Sequence, residues 1–383
     1  MHAPPLSRLF ALGFLALLGS VGVIQWAVEV GRGERPQALD LFRHPPTAER
    51  LRAYEQALED ASWVARRLRP WMLYAQFQLF HSAGEKALLG RQGWWYYRPG
   101  VQFLTQRADP GRHPDDVTQA VEAIVAFRDQ LAARGLRLLV LPVPNKESVY
   151  PDRLTRRSGP WELPPGAETR RLMEALRASD VELLDLFTLF ARARSEATVG
   201  TPALYLAQDT HWSPAGIALA ARAVAQHVLR SGWVEAGSAV YEVRPAPIQR
   251  VGDLLRMLQV PALERAIAPE IIPCEQVLQG DPREGYRDEP LARVLVLGDS
   301  FLRIYQTDEP GGAGFVAHLA RELKQPLTSL VSDGGASTLV RQDLFRRPAL
   351  LRNKQLVIWE FVERDIRLGT EGWQRVSLPP DPP

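Results

Sequence analysis

Two short segments carry residue types that together can activate an oxygen nucleophile. Val294-Leu295-Val296-Leu297 runs straight into Gly298-Asp299-Ser300-Phe301, so an apolar run ends on a small residue and delivers a serine. A serine hydroxyl attacks poorly unless a base removes its proton as the new bond forms. Asp209-Thr210-His211-Trp212 offers that base. Residues two apart in extended chain project the same way, so Asp209 can hold one ring nitrogen of His211 and leave the other for Ser300. An acid placed there orients the imidazole and stabilises the imidazolium that forms. Ser300, His211 and Asp209 are therefore the candidate catalytic set, and the chemistry they suit is acyl transfer. Plainer readings exist for each piece alone: Ser300 and Asp209 as helix caps, His211 as a satisfied structural residue. The three types together favour the triad.

The elements that must position these groups alternate between helix and strand. Asp115 to Arg134 fits an amphipathic helix, with Val117, Val121, Ile124, Val125 and Leu131 on one face and Gly135 ending it. Leu136 to Val143 follows as an apolar run interrupted only by Arg137, the pattern of a strand buried on both faces. Glu168 to Ala178 reads as helix and Val181 to Phe187 as strand. Ser213-Pro214 opens a further helix with Ile217, Ala221, Val224 and Val228 on its inner stripe. Val294 to Leu297, Leu327 to Val331 and Leu356 to Phe361 read as strands, with a helix at Phe315 to Leu323. Such alternation predicts a three-layer α/β domain with a mainly parallel sheet, whose sites lie beyond the carboxyl ends of its strands.

Around this core the sequence predicts four regions. Residues 1–30 form an N-terminal anchor, since Leu9 to Val28 is apolar apart from Ser20 and Gln25 and long enough to cross a bilayer. The same stretch also fits a cleaved signal peptide; the missing small-residue cleavage site and the interfacial Gln25-Trp26 favour the anchor. The expected orientation exports the body. Residues 31–110 read as a linker and a helical, aromatic extension, with the helical stretch over 47–80 broken at Pro70. Residues 111–370 form the catalytic domain, with an irregular insertion at 235–290, and 371–383 is a proline-rich tail, loose from Leu378 to Pro383. The 46 basic and 44 acidic residues give a formal charge of only +2, with no long basic tract to engage nucleic acid. A single cysteine, Cys274, permits no internal disulfide, and no Cys/His spacing suggests a metal; no cofactor is expected.

Gly298-Asp299-Ser300 resembles the serine motif of SGNH hydrolases, which place that serine on their first strand and the Asp/His pair near the end. Here the serine strand comes late, which implies a circularly permuted, flavodoxin-like SGNH fold. The order resembles the AlgX/AlgJ type of SGNH-like alginate O-acetyltransferase. Matching segments are Gly93 to Tyr97, Pro142 to Lys146 with Tyr150-Pro151, and Asp209 to Trp212. Gly252-Asp253-Leu254-Leu255, Gly298 to Phe301, and Trp359-Glu360 with Glu363-Arg364-Asp365 complete the set. The resemblance implies transfer of acetyl groups to hydroxyls of an exported polysaccharide through an acetyl-serine. It also implies an inner-membrane location with a periplasmic catalytic domain, and a membrane-embedded acyl-donor partner of the MBOAT type. A carbohydrate acetylesterase and a non-catalytic glycan-binding scaffold are the alternative functions.

One departure concerns the oxyanion. Trp359-Glu360 stands where SGNH enzymes place an asparagine, which directs attention to backbone N–H groups at Ser300 and at Gly334 or Gly335. The two glycines equally fit a plain turn. Lys146, after a strand end, and Trp212, beside the histidine, are candidate substrate contacts. Trp94 to Tyr97 fit either sugar stacking or core packing, and Arg364 fits an ion pair with Glu360 or Glu363. His81, His113, His227 and His318 lack a partner pattern. No carbohydrate-binding module is read after the catalytic region, so glycan binding is expected in the main cleft.

Overall fold

The computed structural model describes residues 5–42, 45, 47–80, 82–106, 115–157, 166–369 and 371–378. The chain forms two compact units, Met1–Ser82 with Gln259–Ala266, and Ala83–Leu258 with Ile267–Pro383. In the first unit, Pro5–Gly31 is one helix, and its Leu9–Gly31 part is long and apolar enough to cross a membrane. The stretch expected to break at Pro70 breaks at Ser62 instead, between helices Ala48–Ala61 and Trp63–Phe80. The break falls where acceptors exist for the exposed donors: Gln25 Oε1 takes the Trp63 N–H at 2.7 Å and Ser62 Oγ takes that of Ala65 at 3.2 Å. Pro70 rides inside the second helix.

The second unit holds the sheets. β1 (Ala87–Leu89) and β2 (Trp95–Tyr97) pair antiparallel. Trp94, Trp95 and Tyr96 are buried in this unit, so the aromatic segment packs inward rather than offering a stacking face for sugars. Residues 83–106, expected in the preceding extension, thus belong with the sheets. β3 (Arg137–Val143) follows the helix Asp116–Ala132, whose N-cap Asp115 accepts the Thr118 N–H.

The insertion at 235–290 is more regular than expected. It contains β4 (Glu242–Pro245), β5 (Ile248–Arg250), β6 (Glu270–Ile272), β7 (Glu275–Gln279) and β8 (Glu284–Gly285). These form two small antiparallel sheets, β4-β7-β8 and β5-β6. Strands so short and so exposed leave little alternation in the sequence to read.

β9 (Val294–Gly298), β10 (Thr328–Val331) and β11 (Leu356–Val362) complete the main sheet. Its order is β10-β9-β11-β3, with every pair parallel. Beyond β3, a single parallel bridge joins Val140 to Leu183. Val181 to Phe187 therefore contributes a fifth position but no full strand. Asp185 caps the helix Leu186–Ser195 by accepting the Thr188 N–H at 3.0 Å, which diverts the chain early. Counted from β9, the positions run 2-1-3-4-5, the flavodoxin-like order. The chain enters that order at its fourth position, which is the permutation expected from the late serine.

Alternate side chains along each strand feed two cores. Leu139, Leu141, Val296 and Ile358 pack with the helices Pro214–Arg230 and Phe315–Leu323, while Leu138, Val140, Leu297 and Trp359 pack with Asp116–Ala132 and Leu339–Arg346. The start of the tail, ahead of the stretch expected to be loose, is docked. Trp373 is buried with its Nε1 donating to Asp365 O at 2.8 Å, and Gln130 Nε2 donates to Val376 O at 3.1 Å. Residues 379–383 lie outside the described residues.

Trp359 is fully buried, meets Phe127 edge-on at 5.3 Å and donates from Nε1 to Ala336 O at 2.8 Å. Trp359→Ala is expected to destabilise the fold by about 3–5 kcal/mol, measured as a lowered urea midpoint.

Candidate active site

Ser300 begins the short helix Ser300–Arg303 directly beyond β9. Asp299 caps this helix, its Oδ1 accepting the Phe301 N–H at 2.8 Å. Gly298 is small for a reason the sequence did not reveal: a Cβ there would lie 2.3 Å from Glu360 Oε2 on the adjacent β11. That same Glu360 oxygen accepts the Asp299 N–H at 3.1 Å, so Glu360 secures the approach to the serine. Burial, then the Asp299 charge, pushes the Glu360 carboxyl well above the usual carboxylate range.

His211 Nε2 lies 2.8 Å from Ser300 Oγ, and its Nδ1 lies 2.6 Å from Asp209 Oδ1. The three predicted groups thus meet in the predicted order. Asp209 and His211 are buried, and Ser300 is half-buried. The route to this geometry differs from extended chain. Residues 207–211 bend, and Asp209 Oδ1 also accepts the His211 backbone N–H at 3.2 Å, an Asx-type turn that folds the ring over its carboxylate.

Several buried groups lock this bend. Lys146 Nζ donates to the carbonyls of Trp95 at 2.6 Å, Ala207 at 2.8 Å and Asp209 at 3.1 Å. All three of its donors are consumed, so Lys146 anchors the Asp209 turn and is not a substrate contact; burial pulls its ammonium down to about 8. Glu270 accepts the N–H groups of Ala207 at 2.8 Å and Gln208 at 2.7 Å. Trp212 is also no substrate contact. It is fully buried, stacks on Phe315 at 5.5 Å and donates from Nε1 to Phe301 O at 3.0 Å, tying the histidine turn to the serine helix.

Of the groups behind Asp209, Arg250 carried no signal in the sequence and Asp253 stood only within a matched segment, without a role. Arg250 Nε donates to Asp209 Oδ2 at 2.9 Å, and the Asp253 N–H donates to the same oxygen at 3.1 Å. Burial alone would raise Asp209, but His211 and Arg250 outweigh it and hold the carboxyl well below its usual range. Burial opposes charge on His211 too, and Asp209 outweighs it, raising the imidazole above its ordinary value. Gly252 was visible as part of a matched segment, without its reason: a Cβ there would lie 1.9 Å from Gln208 O. Asp209, His211 and Asp253 bring three ligand-type atoms within 4.8 Å of one another. Each already faces a hydrogen-bond donor or acceptor of the chain, so the cluster reads as a proton network.

Of the oxyanion candidates, the Ser300 N–H is first in its helix, where no intrahelical acceptor exists. Gly335 is spent, since its N–H donates to Ser332 O at 3.0 Å and closes a turn. Gly334 is exposed at φ 65°, the position of that turn which favours glycine. Ser332 N–H to Gly298 O at 3.0 Å and Arg303 Nε to Asp333 at 2.9 Å hold the turn beside the serine loop. Among the described residues Arg364 makes no ion-pair contact with Glu360 or Glu363, although its charge acts on Glu360; its guanidinium sits 5.2 Å over the Tyr97 ring and 6.0 Å from that of Phe301. His318 is buried in the helix Phe315–Leu323, and His81 and His113 fall outside the described residues.

A permuted flavodoxin-like sheet with a serine at the carboxyl end of its first-position strand defines an SGNH-type α/β protein. The chain belongs to the family described as SGNH hydrolase-like domain, acetyltransferase AlgX, whose family model matches residues 87–363. It is 24% identical over 376 residues to the probable alginate O-acetylase AlgJ of Pseudomonas putida, covering 93% of this chain and 88% of that one. To the Pseudomonas aeruginosa protein of the same description it is 23% identical over 313 residues, covering 77% and 74%. The solved O-acetyltransferase domain of Pseudomonas putida AlgJ superposes with a TM-score of 0.60 at 22% identity, over 75% of this chain and 94% of that domain. Pseudomonas aeruginosa AlgX gives 0.52 at 16% identity, over 72% and 62%. At these identities the structures establish the fold.

A raised His211 stabilises the fold below its unfolded value of about 6.5 and loses that contribution as pH rises through the folded value. A depressed Asp209 stabilises above about 3.9 and loses its contribution as pH falls through the folded value. An NMR titration of the imidazole is expected to find a midpoint above 6.5 in the wild type, falling in Asp209→Asn. Gly252→Ala is expected to push the Gln208 carbonyl away and lower the melting temperature, checked by calorimetry.

Proposed function

We propose that this protein is a membrane-anchored, exported O-acetyltransferase that moves acetyl groups onto hydroxyls of a polysaccharide through an acetyl-Ser300 intermediate. The observation that carries the reading is the 2.8 Å contact between His211 Nε2 and Ser300 Oγ, with Nδ1 engaged by Asp209. His211 takes the Ser300 proton as Oγ attacks the acetyl carbonyl, and Asp209 steadies the imidazolium. The imidazolium then returns its proton to the departing donor oxygen or sulfur. In the second half, a sugar hydroxyl attacks the acetyl-serine and gives its proton to His211, which hands it to Ser300 Oγ as the acyl–oxygen bond breaks and the acetylated sugar leaves. The Ser300 N–H is the backbone donor assigned to the developing oxyanion.

Membership of an acetyltransferase family supports the reaction class, and the relatives described as probable alginate O-acetylases support a polysaccharide acceptor. The apolar helix Leu9–Gly31 supports tethering, which would hold a periplasmic catalytic body, residues 83–258 with 267–378, at the inner membrane. A tether also suits an acetyl donor delivered by a membrane-embedded partner of the MBOAT type. The N-terminal anchor, the catalytic domain and its insertion are thus assigned separate tasks: tethering, acyl transfer and support of Asp209 through Arg250 and Asp253.

The test is turnover of a chromogenic acetyl ester, with and without oligosaccharide. The wild type is expected to release chromophore and to acetylate the sugar, detected by mass spectrometry. Ser300→Ala and His211→Ala are expected to lose both by about 10³-fold or more. Full turnover in either variant overturns the mechanism; ester cleavage with acetyl passed only to water would make the protein an acetylesterase.

A further inference from the structure

We infer that Asp253 is a second positioning carboxylate of the Ser300 site, holding Thr210 and supplying the His211 imidazolium with negative charge that Asp209 alone does not provide. The inference rests on the acyl-transfer reading of Ser300 and His211 given above. Asp253 opens the short helix Asp253–Arg256, inside the insertion that the sequence left unassigned. Its Oδ1 accepts the Thr210 N–H at 2.7 Å and its Oδ2 accepts the Thr210 hydroxyl at 2.5 Å. That same Oδ2 lies 3.6 Å from His211 Nδ1, and Thr210 Oγ1 lies 3.2 Å from it. The Nδ1 proton is therefore surrounded by Asp209 in direct contact, with Thr210 and Asp253 immediately behind.

Charge explains why a second carboxylate is needed. Arg250 sits 2.9 Å from Asp209 Oδ2 and 3.7 Å from Asp308, so much of the Asp209 charge is already answered by a guanidinium. When Ser300 gives its proton to His211, the ring becomes a buried cation beside a carboxylate that is half compensated. Asp253 has no cation in contact among the described residues; its near neighbours are Thr210, His211 and Asp209. The titratable and charged groups acting on it are Asp209 and His211 on the bend and Lys146 after β3 at longer range; His211 itself is faced by Asp209, Asp253 and, from the start of the serine helix, Asp299. Burial and then the Asp209 charge raise the Asp253 carboxyl to about 6, so it is ionised at neutral pH and loses its charge in mild acid.

The role separates from a merely structural one through the pH profile. Activity needs neutral His211 and so rises with pH through the histidine value. Removing the Asp253 charge lowers that value, which moves the acid limb to lower pH even as the plateau drops. The Asp253 N–H to Asp209 survives any side-chain change, so Asp253→Asn leaves Asp209 supported.

The experiment measures chromogenic acetyl ester turnover by the full-length protein from pH 4.5 to 9, as kcat and KM separately. Asp253→Asn is expected to shift the acid limb of kcat down by about half a pH unit or more. Asp253→Glu, which keeps the charge, is expected to leave the limb near its wild-type position. Asp209→Asn is expected to lose roughly 10²-fold in kcat, and the Asp209→Asn/Asp253→Asn pair about 10⁴-fold, because Asp253 partly replaces the missing acid. Should Asp253→Asn not fold, Asp253→Ser keeps an acceptor for the Thr210 N–H and carries the same comparison. An unmoved acid limb in the neutral variant, or a double variant no slower than Asp209→Asn, overturns the role of Asp253. Ser300→Ala tells the two ideas apart. If it retains turnover, the acyl-serine reading falls and this one with it; if it is dead while the limb stays put, only Asp253 is wrong.

Discussion

The arrangement around Ser300 depends on one buried carboxylate. Asp209 is fully enclosed, and an isolated ionised carboxylate there would be severely destabilising. It persists because Oδ1 takes two bonds from His211 and Oδ2 takes one each from Arg250 and the Asp253 N–H. Around those bonds the rest is arranged: Lys146 and Glu270 fix the backbone on either side, and Gly252 gives up its side chain so the chain can approach. Such a network is costly to leave half satisfied, because the low dielectric that strengthens each bond also penalises each loss. A removed partner should therefore be felt at His211 as well as in stability.

The sheet supplies the other half of the geometry. β9 lies between β10 and β11, and the order reverses there, which opens a crevice at the carboxyl ends. Ser300 stands at that opening. The histidine arrives on a loop far from it in sequence, and Trp212 and Phe301 join the two by a hydrogen bond and an edge-on ring contact at 5.5 Å. The contact between His211 and Ser300 is thus the edge of a packed aromatic joint. Its precision comes from buried rings, whose rotamers are fixed by their neighbours.

Much of this was legible in the sequence, for physical reasons that can be named. β3, β9 and β11 are buried on both faces, so their apolar runs are continuous and unambiguous. Ser213-Pro214 and Asp115 are caps whose chemistry is local, and both helices start where those residues say. Ser300, His211 and Asp209 were legible because few arrangements of those three types make chemical sense. The misses share a cause. Lys146 looks like a surface cation until Trp95, Ala207 and Asp209 turn their carbonyls toward it, a convergence of three separate segments. Trp212 looks like a substrate contact beside the histidine until Phe315 covers it. Arg250 and Asp253 sit on elements of three and four residues, too short to show a periodicity, and their partner is more than forty residues away. Val181 to Phe187 has a strand's composition, but Asp185 caps a helix within it.

The permuted strand order has a temporal consequence. Synthesis proceeds from the amino end, so β3 emerges early and must wait for β11, whose trailing Glu363 takes the Asn145 N–H from 218 residues away. His211 is made before Ser300, and β11, at the centre of the sheet, is made last. The contact between His211 and Ser300 therefore depends on chain made late, 89 residues after the histidine. Distant pairings of this kind, β3 with β11 above all, make for slow folding.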